Sequence, residues 1–289
     1  MRIGTRGSAL ALAQARLVVG SLPGPAEIVP ITTSGDRDRG GDKARFVKEI
    51  EEALLAGEVD LAVHSAKDVP AELPDGLAIV GVPERADPRD ALCGAASLDE
   101  LPEGALVGTS SLRRRAQLLA MRPDLDVQDL RGNVDTRLRK LAEADYDALV
   151  LAAAGLERLD RGDDGSPIAP ELLTPAAGQG ALALEARVGD RAVADAAEAI
   201  SHRDAFTCLT AERALVAELE ATCRTPVGAH AWLSDGRLSV AAFVGLPDGS
   251  EWVRDTLDGD PGEPGPFGVE VAERVLAAGG AQILSTVSS

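Results

Sequence analysis

The residues best placed to do chemistry in this sequence are cations gathered where a helix does not want them. Between positions 111 and 140 stand Arg113, Arg114, Arg115, Arg122, Arg131, Arg137, Arg139 and Lys140 against four acids, so this window carries +4 and the rest of the chain −22. Arg113 and Arg114 fall in the first turn of a helix expected to start at Ser110 or Ser111. Such an end already presents about half a positive charge, and a cation there costs roughly 0.3–1 kcal/mol. Arg131 repeats the placement ahead of Asn133, an expected N-cap, with Arg137 one turn into the next helix. Two arginine-loaded helix starts, each after a strand, describe a site for an anion of several charges. Pairing with surface acids explains any one of these arginines but not the repetition. Carboxylate and phosphate both stay open, although no G-x-x-x-x-G-K-[ST] loop is present.

Lys67 and Asp68 close an apolar run in HSAKDVP, where open α/β sheets place their ligands. On residue type alone Asp68 is either a surface ion-pair partner or a catalytic carboxylate. Cys223 sits beside Arg224 in ELEATCRTPVG, and a neighbouring cation raises the thiolate fraction that a nucleophile or attachment point needs. The other reading of a lone cysteine is a buried bystander, which is what Cys93 and Cys208 are expected to be. Three scattered cysteines form no disulfide framework. His64, His202 and His230 have no metal-ligand spacing, so no metal is expected, and His64 reads as a core histidine.

Composition limits the partners. The 289 residues hold 29 Lys and Arg against 47 Asp and Glu, a net charge of −18, which excludes a general nucleic-acid binder. No apolar run approaches the ~18 residues of a membrane span, and the first twenty residues read as a strand and helix rather than a signal peptide. A cytoplasmic, monomeric protein is expected. Only four of the cations are Lys. With the acid excess this resembles proteins of salt-loving archaea; a GC-rich genome also enriches Arg but does not supply eighteen surplus acids.

The elements that must position these residues follow an α/β pattern. RIGTR at 2–6 is an expected strand, Ser8 an N-cap, and Leu10, Leu12, Ala13 and Leu17 the buried side of the following helix. A strand at 27–33, a mobile loop at 34–45, a helix at 46–56 and strands at 60–70 and 77–82 come next. Three strand-to-helix units then suggest a second, largely parallel sheet, and PAAGQGALALEA returns to another strand. From 204 a long helix leads to antiparallel strands with a turn at Asp248-Gly249, then a helix over 267–278. The expected domains are an α/β domain of 1–84 with 180–200, a second α/β domain at 88–176, and a smaller α+β domain at 203–289.

Taken in order, RIGTRGSALALAQA, FVKEIEEALLAGEVDLAVHSAKDVP, ERADPRDAL, GTSSLRRRAQL, LRGNVDTRL, AAAGLERL, PAAGQGALALE and TCRTPVGAH resemble the porphobilinogen deaminase family over nearly the whole chain. The resemblance implies two periplasmic-binding-protein-like α/β domains and a third domain carrying a cysteine. It implies a transferase that joins four porphobilinogen molecules into hydroxymethylbilane with loss of ammonia. The product is built on dipyrromethane, held by a thioether to the residue matching Cys223. Asp68 would assist loss of ammonia and stabilise a cationic azafulvene. Lys67, Ser111, Arg113, Arg114 and Arg131 would hold the cofactor, and Arg6, Arg137, Arg158 and Gln179 the substrate carboxylates.

The chain departs from the family pattern in three places. Ala221 and Thr222 stand where Gly-Gly is usual, the 34–45 segment is short and lacks its usual Gly-Leu before Phe46, and Asp135 replaces a common Gly. A two-lobed binding protein for small carboxylates is the rival reading, and it needs neither Asp68 nor Cys223. An RNA-binding module is disfavoured by the seven aromatics and the acidic remainder.

Overall fold

The computed structural model describes residues 1–37, 43–222 and 225–288. In chain order the elements are β1 (Arg2–Arg6), α1 (Ala9–Ser21), β2 (Glu27–Ile31), α2 (Ser34–Arg37), α3 (Lys48–Leu55), β3 (Leu61–Ser65) and β4 (Leu77–Gly81). There follow β5 (Asp90–Cys93), β6 (Leu106–Gly108), α4 (Leu112–Met121), β7 (Asp126–Gln128), α5 (Val134–Ala142), β8 (Ala148–Ala152), α6 (Ala153–Glu157) and β9 (Ser166–Pro167). The chain ends with β10 (Leu182–Arg187), α7 (Arg191–Glu198), α8 (Arg203–Glu218), β11 (Val227–Ser234), β12 (Arg237–Gly245), β13 (Trp252–Gly259), α9 (Pro264–Val275) and α10 (Ala281–Ser288). Two compact units result, Met1–Ala86 with Gly180–Leu209, and Asp87–Gln179 with Thr210–Ser289.

The first unit is built on a sheet in the order β2-β1-β3-β10-β4. β1 runs parallel to β2 and β3, whereas β10 is antiparallel to both β3 and β4. The sheet is therefore mixed rather than largely parallel. β10 arrives only after the chain has built the second sheet, without the crossover helix that parallel pairing requires. Ser8 caps α1 by accepting the Ala11 N–H. The helix buries Ala11, Gln14, Ala15 and Val18, and leaves Leu17 55% exposed, so the expected face is wrong. Apolar residues lie nearly all round this helix, and its periodicity cannot choose a side. Gln14 is turned inward because it exchanges hydrogen bonds of 2.8 and 3.1 Å with Ser65 on β3. The expected loop at 34–45 opens with the turn of α2 and closes with a 3₁₀ turn at Lys43–Phe46, its middle lying outside the described residues.

The second unit holds a sheet in the order β7-β6-β8-β5-β9, again mixed: β6 is parallel to β7 and β8, and β5 antiparallel to β8 and β9. It also holds the antiparallel meander β11-β12-β13. β11 and β12 are joined by Asp235 and Gly236, both with positive φ, the two-residue hairpin that matches strand twist. Asp248-Gly249 lies in the longer link from β12 to β13. A Cβ at Gly249 would stand 2.4 Å from the Ala120 nitrogen, so this tip rests against α4 and only glycine fits. The fold is thus α/β in two sheets with a smaller α+β portion. No described helix is long and apolar enough to cross a membrane.

Candidate active site

In the first unit, β1 and β3 run parallel and deliver their last residues to the same edge of the sheet. Asp68 ends the 3₁₀ turn Ala66–Asp68 that follows β3. That turn is fixed at its start, where the Ala66 N–H donates to the Ala181 carbonyl at 3.0 Å. An open pocket of about 400 Å³ at this edge is lined by Arg6, Ser8, Gln14, Phe46, His64 and Asp68, among others. The Arg6 guanidinium lies over the Phe46 ring, 4.1 Å from its centroid, which holds the cation in place without neutralising it. Asp68 is half-buried in the pocket wall, and its neighbour in the chain, Lys67, is half-buried too. A cation and a carboxylate in one pocket suit a small molecule carrying both an acid and an amine.

The second unit resolves the misplaced arginines. Ser111 is the N-cap of α4, its hydroxyl accepting the Arg114 N–H. Arg113 and Arg114, only 4% and 6% exposed, turn their guanidinium groups back onto Asp90 of β5, which is fully buried. Arg113 donates from Nη1 at 2.7 Å and Nη2 at 3.1 Å, and Arg114 from Nε at 2.9 Å and Nη2 at 2.7 Å. Gln179 adds a bond from Nε2 to the same carboxylate at 3.0 Å and another to the Pro88 carbonyl. Arg113 Nη1 also donates to the Thr174 carbonyl and Arg114 Nη1 to the Val150 carbonyl, while the buried Nε of Arg113 has no hydrogen-bond partner. Burial alone would raise the Asp90 pKa, but the two arginines and Gln179 hold it far below the usual carboxylate range. Two cations against one anion leave this core with a net charge of +1. The sequence reading missed Asp90; its only signal was the acid of the DPRD turn at 87–90.

Arg137 and Arg158 extend the positive field. Asn133 caps α5 through the Thr136 N–H at 2.9 Å, and Arg137 donates from Nε to the Gly132 carbonyl at 2.9 Å. Burial and repulsion from Arg114 push the Arg137 pKa down to about 10. Burial does the same to Arg158 at the end of α6, also to about 10. Arg131 is exposed just ahead of α5. Asp135, which replaces a common Gly, has its carboxylate 3.9 Å from Arg161.

Cys223 and Arg224 lie outside the described residues. Of the two residues that replace the usual glycines, neither Ala221 nor Thr222 takes a positive φ; Glu220 does, at 48°. The Thr222 N–H donates to Thr225 Oγ1 at 3.0 Å and the Thr225 N–H to the Thr222 carbonyl at 3.1 Å. Cys93 is buried and burial lifts its thiol to about 11, which leaves it inert at neutral pH; Cys208 is buried as well.

Residues 1–195 match the family model described as porphobilinogen deaminase, dipyromethane cofactor binding domain, and residues 206–277 match that of the porphobilinogen deaminase C-terminal domain. The porphobilinogen deaminase of Deinococcus radiodurans is 48% identical over 99% of this chain and 98% of its own length. That of Thermus thermophilus is 49% identical over the same shares. A periplasmic substrate-binding protein from Coxiella burnetii superposes with a TM-score of 0.44 at 14% identity, covering 69% of this chain and 91% of that one, too low to add to the sheet topology.

The residues present fit dipyrromethane, which carries several carboxylates. Arg137 keeps its charge against a desolvation cost and a like-charged neighbour, with no acid of the chain at ion-pair distance among the described residues. A half-buried cation in that position is matched by an anionic ligand. With two family domains spanning the chain and full-length relatives near half identity, the chain belongs to the porphobilinogen deaminase family.

Proposed function

We propose that the Arg6–Asp68 pocket is where porphobilinogen loses its amino group, and that Asp68 is the catalytic carboxylate. The observation that carries this reading is the shared pocket itself, with Asp68 at the end of the turn that follows β3 and Arg6 at the end of β1. The family reaction joins four porphobilinogen molecules into hydroxymethylbilane, one ammonia leaving at each step. Dipyrromethane, when bound, supplies the pyrrole end from which the chain of rings is built. Porphobilinogen has an aminomethyl group and two carboxylates, so it can meet Asp68 with its cationic end and arginines with its acids.

In this reading Arg6, Arg137, Arg158 and Gln179 serve the substrate. Lys67, Ser111, Arg113, Arg114 and Arg131 serve the cofactor, and Cys223 attaches it by a thioether. Arg113 and Arg114 contribute mainly the +1 surplus of the Asp90 cluster, since most of their donors are engaged. Asp68 stabilises the positive charge that develops as the C–N bond breaks, which acts on the transition state more than on the bound substrate. We also read the chain as a cytoplasmic monomer of three domains, 1–84 with 180–200, 88–176 and 203–289. It binds no nucleic acid, and the surplus of acids supports a salt-loving archaeal source.

Asp68→Asn keeps the shape and removes the charge. In single-turnover assays it should slow ammonia release by two or more orders of magnitude, each factor of ten being about 1.4 kcal/mol, while substrate affinity changes far less. Release at the wild-type rate would reduce Asp68 to an ion-pair partner.

A further inference from the structure

Behind the wall of the Asp68 pocket lies a second group of ionisable side chains that the reaction as described does not use. His64 of β3, 5% exposed, lines the pocket. Its Nε2 meets Oε2 of Glu185 at 3.0 Å. The register explains the meeting: His64 is opposite Ala183 and Glu185 opposite Ala62, so the two side chains are diagonal neighbours on one face of the sheet. Glu185 is fully buried, and its other oxygen has no hydrogen-bond partner. Glu51 projects from α3, which packs on β3 and β10, and is 7% exposed, with Oε1 likewise buried and unpartnered.

Two buried carboxylates and one imidazole cannot all be charged without leaving an uncompensated anion in the interior. A carboxyl that keeps its proton relieves that strain, and Glu51 is the one without an imidazole partner. Burial first, and the neighbouring Glu185 second, raise its pKa to about 7. Other charged groups on the surrounding elements are engaged or lie at the surface. On α3, Glu49 accepts the Ser34 N–H and Lys48 pairs with Glu52. On β1, Arg2 pairs with Asp60 and Arg6 lies over Phe46. On β10, Arg187 bonds to the Leu54 and Val59 carbonyls and to Asp190. Arg16 on α1 and Arg203 and Asp204 on α8 are exposed, Lys67 is half-buried, and Asp68 lines the pocket.

We propose that Glu51, Glu185 and His64 form one electrostatically coupled cluster that acts as a positioning group for Asp68, its negative charge appearing behind the pocket wall when Glu51 gives up its proton to solvent. The gain falls on the step in which positive charge develops beside Asp68, and the same charge opposes the substrate's carboxylates. Turnover and KM therefore both rise as pH increases through neutrality. The kinetic part of this inference rests on the porphobilinogen reading; the titration does not.

With only three histidines in the chain, His64 can be followed by NMR of histidine-labelled protein. Glu51→Gln is nearly isosteric and stands in for the protonated form. In the wild type, the His64 resonances should report a step centred near pH 7 that comes from Glu51. Glu51→Gln should abolish that step, because the amide has no proton to lose in this range. The wild-type kcat should climb about three- to tenfold from pH 6 to 8, and the variant should stay near the low plateau with the lower KM. Glu185→Gln, which leaves Glu51 without its like-charged neighbour, should move the neutral step to lower pH. A step near pH 7 that persists in Glu51→Gln, or an unchanged kinetic limb in the variant, would overturn the proposal. Wild-type protein that shows the step but releases no ammonia at any pH would instead refute the porphobilinogen reading.

Discussion

Replacing Asp90 by Asn removes the single anion on which two buried arginines depend. In the native chain its carboxylate accepts four bonds from Arg113 and Arg114 and a fifth from Gln179, all within 3.1 Å. Asn retains one acceptor oxygen but turns an amide NH₂ toward guanidinium donors, and the core passes from a net +1 to +2 with the arginines 4% and 6% exposed. Charge-assisted bonds of this kind are each worth about 1.5–3 kcal/mol. Simple addition overcounts, because freed donors find carbonyls or water. Breaking a buried pair from one side costs about 3–5 kcal/mol, and that is the expected loss here, a factor of roughly 10² to 5 × 10³ in the folding equilibrium. Both tryptophans, Trp232 and Trp252, lie in the same unit as Asp90, so urea unfolding followed by their fluorescence reports the right transition. A second substitution, Arg113→Met, should recover part of the loss, since it lowers the unpaired charge. If Asp90→Asn costs less than about 1 kcal/mol, the arginines have other adequate partners and this account of the core is wrong.

The remaining predictions concern ligand binding, pH and salt. Arg137→Leu should weaken substrate binding or stall elongation by at least tenfold while leaving stability unchanged or improved, because it deletes a desolvated cation; unaltered KM and product distribution would count against it. Asp90 titrates lower when folded than when unfolded, so its contribution is present above the unfolded value of about 4 and is lost as pH falls below it. Glu51 has the opposite sign: its raised pKa makes stability fall as pH climbs from about 4.5 to about 7. Urea midpoints should therefore peak between these limits, and Glu51→Gln should flatten the decline on the alkaline side. The net charge of −18 predicts a melting temperature that rises in molar KCl, whereas a flat or falling one would return the composition to genome bias.

Local chemistry in this chain is legible where it is decided locally. Ser8, Ser111 and Asn133 each cap the helix that follows, and Asp68 ends the strand unit in which the residue pattern places it. Two kinds of feature escape such reading. α1 is apolar on several sides, so the choice of Val18 over Leu17 for burial is made by the sheet beneath it. β5 is four residues long, too short to show a period, and its Asp90 meets partners 23, 24 and 89 positions away. The arginines at the start of α4 are anomalous in the sequence, and that anomaly is sound; what it cannot reveal is that a carboxylate of the chain itself accepts their hydrogen bonds. Pairing within the fold and service to a ligand are not exclusive, because one anion leaves two cations partly uncompensated.

The most direct test of the account is the intact mass of the purified protein. A chain that builds hydroxymethylbilane on dipyrromethane held by Cys223 should be heavier than its sequence mass by two linked pyrrole units. That increment should disappear in Cys223→Ser together with activity. An unmodified mass in protein that still releases ammonia from porphobilinogen, or an increment that survives the substitution, would contradict the assignment of Cys223.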